Sequence, residues 1–224
     1  MRLRAKLRQA MRQASLRRAA ARYAGHGWPV VPGAVLVGAR YVCGPLCPTV
    51  ACHPAVNGWD QLATVDKSIV DDWWRADAYS VLLATGRAFD VLELTAGPDL
   101  VMADWPGPLL RAPSGGLMFL LRTGATLHPE LAARTDVVLH GAGSWIAVPP
   151  TRSPVGRLRW IVAPPISAWR LPDAEPVQAR LLTWSARTAA VRTPPTLPGR
   201  APLAGRWPTG RPASVAAPAR QRLA

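Results

Sequence analysis

All thirteen acidic residues of this 224-residue chain lie between Asp60 and Glu175. Residues 1–59 carry nine Lys/Arg, residues 60–175 carry ten, and residues 176–224 carry eight Arg. A segment of one charge sign, broken by proline and glycine, repels itself and buries little apolar surface. The charge pattern therefore confines most of the folded core to the middle of the chain and leaves two strongly basic ends. The total is +14, the footprint of a polyanionic partner, with nucleic acid ahead of an anionic membrane. Twenty-five of the twenty-seven cations are Arg, which a GC-rich coding bias also produces. The apolar runs fall short of the roughly 18 residues a membrane span needs. No apolar stretch of the signal-peptide type follows the basic start, and three cysteines cannot form a disulfide framework. The expectation is a soluble, cytoplasmic α/β (α+β) domain without integral membrane association.

Residues 2–24 read as a basic helix, with Leu3, Leu7, Met11 and Ala14 near helical spacing; Gly25 and Gly27 stop it. Its apolar face is thin, so the main domain or a protein partner has to cover it. Trp28-Pro29 opens an extended run from Val30 to Val37. Residues 42–58 form a Cys/Pro/Gly loop. Residues 66–76 predict a short helix capped by Asp66. Strands are expected at 79–85, 88–95, 117–122, 135–140, 144–149 and 158–163, and a closing helix from Asp173 to Arg187. The domain is thus assigned to residues 1–190. Residues 191–224, rich in Arg, Pro and Ala, are expected to be a disordered tail.

Cys43, Cys47, Cys52 and His53 follow the spacing C-x3-C-x4-C-H, interleaved with Gly44, Pro45, Pro48 and Pro54. Thiolate and imidazole are the ligands of structural zinc, and four such groups can close a tetrahedron. Buried or free thiols in a proline-rich loop are the other reading, and a redox pair a third. His26, His128 and His140 stand alone in sequence and read as ordinary loop or surface histidines.

The order of the segments is similar to a known family. Tyr23-Ala24, Gly27-Trp28-Pro29-Val30, Cys47-Pro48, Cys52-His53-Pro54, Gly58-Trp59, Ala63-Thr64, Asp66 and Trp73-Trp74 make up its first half. Thr85-Gly86, the Phe89-to-Thr95 strand, Pro113-Ser114-Gly115-Gly116, Asp136, Gly141-Ala142-Gly143 and Pro149-Pro150 make up its second. Together, over roughly residues 19–165, these resemble the bifunctional DNA primase/polymerase N-terminal domain family of the archaeo-eukaryotic primase superfamily. The resemblance implies a primase-polymerase-like mixed sheet with flanking helices, a nucleotidyl-transfer site on that sheet, and a Cys/His loop that often holds zinc. Where the family tends to have Gly-Lys-His-Pro, this chain has Ala51-Cys52-His53-Pro54, so either Cys52 or His53 is the fourth ligand.

Templated nucleotide addition uses two divalent cations, magnesium or manganese, held by carboxylates. The family supplies an Asp-x-Asp pair on one strand, a third Asp on another, and a His after paired glycines. The equivalent positions here are Glu93, Thr95, Asp136 and Met118. Spacing i, i+2 keeps Glu93 and Thr95 on one strand face and sends Asp90 to the other. One carboxylate is kept, one is changed conservatively, and two functional groups are lost. Two dications without enough nearby negative charge are costly to desolvate. The resemblance therefore implies a degenerate, stand-alone member in a DNA-associated role such as replication. It would bind nucleic acid, DNA more readily than RNA, or nucleotide through Arg87, Arg111, Arg122 and the basic ends. An active nucleotidyltransferase using Glu93 and Asp136, and a zinc-stabilised interaction module with no nucleic-acid partner, remain as alternatives.

Overall fold

The computed structural model describes residues 2–43, 51–95 and 105–192. The chain opens with helix α1 (Arg2–Gly25), strand β1 (Val30–Gly33) and a small hairpin of β2 (Val35–Val37) and β3 (Arg40–Val42). Helices α2 (Trp59–Leu62) and α3 (Lys67–Ala76) precede β4 (Ser80–Ala84), β5 (Asp90–Leu94), β6 (Leu109–Arg111) and β7 (Leu117–Leu121). Then come α4 (Pro129–Ala132), β8 (Val137–His140), β9 (Trp145–Ala147), the two-residue strands β10 (Arg152–Ser153) and β11 (Gly156–Arg157), β12 (Arg159–Val162) and α5 (Ala174–Arg192). The fold is mixed α+β, and the described sheets are antiparallel.

Two sheets organise it. One has the order β1-β4-β9, the other β12-β6-β7-β5-β8. Because strand side chains alternate, the five-stranded sheet has two different faces. Leu92, Leu94, Leu109, Leu117, Phe119 and Leu121 pack against Val177 and Leu181 of α5. On the other face Val91, Leu110 and Leu120 join Val81, Leu83 and Ile146 of the smaller sheet and Leu16, Ala20 and Tyr23 of α1. The smaller sheet is covered on both faces too, Val81 and Leu83 in the shared core and Leu82 and Ala84 packing with Val31 and Ala63, so β4, SVLLA, is a continuous buried run rather than an alternating one.

Helix α3 forms as its sequence dictates. The Asp66 side chain accepts from the Ser68 N–H at the N-terminus, and Val70 and Trp74 are its buried residues. Helix α1 packs beside it: Arg17 Nε meets Asp71 Oδ1 at 2.9 Å, and Gln13 Nε2 donates to the Trp74 carbonyl at 3.0 Å.

Some elements depart from the sequence expectations. The extended run Val30–Val37 is two strands, because Ala34 leaves β4: its N–H donates to the His53 carbonyl and its carbonyl accepts from Ser80 Oγ. Helix α5 continues past Arg187 to Arg192, since Thr188-Ala189-Ala190-Val191 offers no breaker before Pro194. The expected tail beyond Arg192, and Cys47 in the Cys/His loop, lie outside the described residues. No helix among the described residues is long and apolar enough to cross a membrane.

Candidate active site

Strand β5 reads Asp90-Val91-Leu92-Glu93-Leu94, and Glu93 is its one position that is not fully buried. In β7 the one such position is Met118. The register puts these two directly opposite each other, and Val138 of β8 faces Glu93 from the other side. Extending the same register, Trp160 of β12 pairs with Leu110 and Leu110 with Met118. A single cross-strand row, Trp160–Leu110–Met118–Glu93–Val138, thus runs across the sheet. Its Met118–Glu93–Val138 end is where solvent reaches this face.

Thr95 and Asp136 continue the same face one step along. The Thr95 N–H donates to the Asp136 carbonyl at 2.9 Å, which makes them neighbours across β5 and β8. Asp136 is two residues before Val138, so it lies diagonally from Glu93, with Cα atoms about 7–8 Å apart in such an arrangement. The glycine pair before β7 is sterically set: a Cβ on Gly116 would stand 3.1 Å from the Leu94 carbonyl oxygen. The four positions compared with the family site, Glu93, Thr95, Met118 and Asp136, therefore share one sheet face. Asp90 lies on the other, 3% exposed, with Oδ2 accepting from the Ala125 N–H.

Both acids on the site face already have cationic or N–H partners. His140 Nε2 lies 2.7 Å from Glu93 Oε2, and its Nδ1 is 2.9 Å from Ser144 Oγ. A carboxylate only accepts, so Nε2 carries the hydrogen of this bond. Glu93 and His140 side chains are 18% and 19% exposed, so the contact is poorly screened. Arg134 clasps Asp136 through two bonds, Nε to Oδ1 at 2.9 Å and Nη2 to Oδ2 at 2.7 Å. That bidentate hydrogen bonding, ahead of the charge itself, holds the Asp136 carboxyl below its ordinary range and raises the Arg134 guanidinium.

His140 is the site residue that reading the sequence as isolated histidines misses. The signal was present in Asp136-Val137-Val138-Leu139-His140: spacing i, i+2, i+4 puts Asp136, Val138 and His140 on one face of a strand.

The Asp136–Arg134 pair has a definite pH signature. The folded pKa of Asp136 lies below the unfolded one, so the pair's stabilisation is full above the unfolded carboxylate range and is lost as pH falls through the folded value. Arg134→Gln should lower the urea midpoint at neutral pH, and the gap to wild type should close as pH falls below the ordinary carboxylate range. An undiminished gap in acid would show that the loss comes from packing.

The other expected residues are dispersed. Arg87 Nη2 donates to the Asp60 carbonyl at 2.6 Å. Arg122 Nη1 is 3.5 Å from Asp173 Oδ1, with both side chains exposed. Arg111 pairs with Leu117, which places it on the face opposite Met118 and Glu93. Of the proposed zinc ligands, Cys52 is half-buried, and burial pushes its thiol up, with Ser80 and Tyr41 hydrogen-bonded to it. His53 Nδ1 is 2.7 Å from the Ala51 carbonyl oxygen. Among the described residues no three Cys, His, Asp or Glu side chains converge as ligands of a metal ion. Cys47, the remaining proposed ligand, lies outside the described residues.

The row lies on a sheet backed by helices on one face and by a second sheet and α1 on the other. The family model described as bifunctional DNA primase/polymerase, N-terminal, matches residues 20–178. The chain belongs to that family. No curated protein matches the sequence.

Proposed function

We propose that this chain is a nucleic-acid- or nucleotide-binding member of the primase/polymerase family, acting in a DNA-associated role with its nucleotidyl-transfer chemistry impaired. The observation that carries this reading is the engagement of both remaining carboxylates, Glu93 by His140 and Asp136 by Arg134. Two dications about 3.5–4 Å apart need several uncommitted anionic oxygens around them. Here one acid is neutralised bidentately by a guanidinium, the other is bonded to an imidazole, and Thr95 and Met118 add no charge. Freeing the acids would first require breaking contacts made at normal hydrogen-bond lengths in a half-dry site.

The test is primer extension on a primed DNA template with magnesium or manganese. The expected result is incorporation no greater than that of the Glu93→Ala variant. Template-directed incorporation by the wild type that Glu93→Ala abolishes would overturn the reading in favour of an active nucleotidyltransferase.

A further inference from the structure

Helix α1 has α3 on one side and a long groove on the other. At the N-terminal half of the helix, Arg8 and Arg12 face Arg152 and the β2–β3 hairpin across a cleft of about 640 Å³. Toward its C-terminal half, Arg18 and Arg22 face Trp160 and Trp169 across a second cleft of about 620 Å³. Both clefts are lined by Ser15 and Pro150, so they adjoin along the helix as the two halves of a trough. From Arg8 to Arg22 it follows about 21 Å of helix.

We propose that this trough binds a single strand of nucleic acid, phosphates on the arginines and bases toward the aromatic wall. The proposal rests on the nucleic-acid association inferred above and names the surface responsible.

The charge is complementary: five arginines line the trough and no carboxylate does. Arg12 shows the strain of this crowding. Burial first, then the charge of Arg152, depress its guanidinium, only partly offset by Tyr41 and Asp77. An anion between Arg12 and Arg152 would relieve that repulsion.

The second cleft adds what a simple anion site lacks. Trp160 and Trp169 are both partly exposed, and the Arg22 guanidinium lies 5.7 Å from the Trp169 ring centroid. Cations on one wall and aromatic rings on the other suit a single strand, whose bases are free to meet a ring, and not a duplex, whose bases are stacked inside. Position also favours this occupant. Trp160 begins the cross-strand row that ends at Glu93 and Val138, three strand spacings or about 14 Å from Glu93 on the same face. Arg8, Arg12, Ser15 and Arg18 precede the residues matched by the family model, whereas Arg22, Pro150, Arg152, Trp160 and Trp169 lie within them.

The test uses the full chain and a fluorescent oligothymidylate of about 12 nucleotides, read by anisotropy over a salt series. Arg12→Glu with Arg152→Glu, and separately Arg18→Glu with Arg22→Glu, should each weaken binding at least about tenfold and flatten the salt slope by about 0.7 per lost phosphate contact. Arg75→Glu, an equal change per residue on the α3 side, serves as the control for bulk charge. Arg152→Glu alone, at an exposed position in the two-residue strand β10, covers the case in which the Arg12 variant fails to fold. Losses no larger than the control's, with the wild type still binding, would overturn the trough assignment and leave the proposed function standing. A wild type that binds anionic phosphatidylserine vesicles and not the oligonucleotide would overturn both.

Discussion

Gly86→Ala should destabilise the protein by about 2–6 kcal/mol, combining a left-handed backbone with overpacking. Gly86 has φ +86°, and a Cβ there would stand 2.2 Å from both the backbone nitrogen and the Cα of Ala142. Neither obstacle is the flexible end of a side chain, so one of two backbones has to move. The contact is also where the two sheets are tied together. The Thr85 N–H donates to the Ser144 carbonyl, Thr85 Oγ1 to the Gly141 carbonyl, and the Gly86 N–H to the Phe89 carbonyl. The loop so held carries Ser144, the partner of His140, and through it the Glu93 contact. The variant should therefore show a lowered denaturant midpoint together with a displaced His140 ring resonance in the NMR spectrum. A change below about 0.5 kcal/mol would mean that the 141–143 loop yields freely and does not clamp the site.

Trp74→Ala should cost about 3–5 kcal/mol, the usual range for emptying a buried aromatic site. Trp74 is fully buried, joins the core shared by α1, α3 and both sheets, and donates from Nε1 to the Tyr79 carbonyl at 2.8 Å. Its own carbonyl receives Gln13 of α1. The lost volume thus sits beneath the helix that walls the arginine trough, and oligonucleotide affinity should fall with stability. Trp73→Ala is the matched comparison, since Trp73 only partly packs on that core. Equal losses in thermal unfolding would show that the depth of Trp74 does not decide the effect.

The parts of the fold legible in the sequence were those set by local chemistry. Asp66 and the apolar spacing of Val70 and Trp74 define α3 before any tertiary contact forms. Strands β5 and β7 are bounded runs whose hydrophobicity exceeds what a turn tolerates. Strand β6 is only Leu109–Arg111, hidden behind Pro106-Gly107-Pro108, and exists because β7 and β12 pair with it on either side. In the site, the shared face of Glu93 and Thr95 follows from strand period alone. The capture of Glu93 by His140 does not, because it depends on the antiparallel pairing of strands 47 residues apart. The trough was less accessible still. Arg12 and Arg152 are brought together by the path of the chain, and no periodic signal in either segment points to the other.

The Met118–Glu93–Val138 end of the row bears on how activity can be lost in such a domain. Leu110 of the row is fully buried in the core on this face, and Met118, Glu93 and Val138 meet solvent at the rim of that core. Exchanging an acid for threonine or a histidine for methionine at such a rim removes charge from the surface and leaves the supporting layers as they were. On the function proposed above, reactive groups and architecture are decoupled here: re-arming the site would ask for new side chains at Thr95 and Met118 without a new interior.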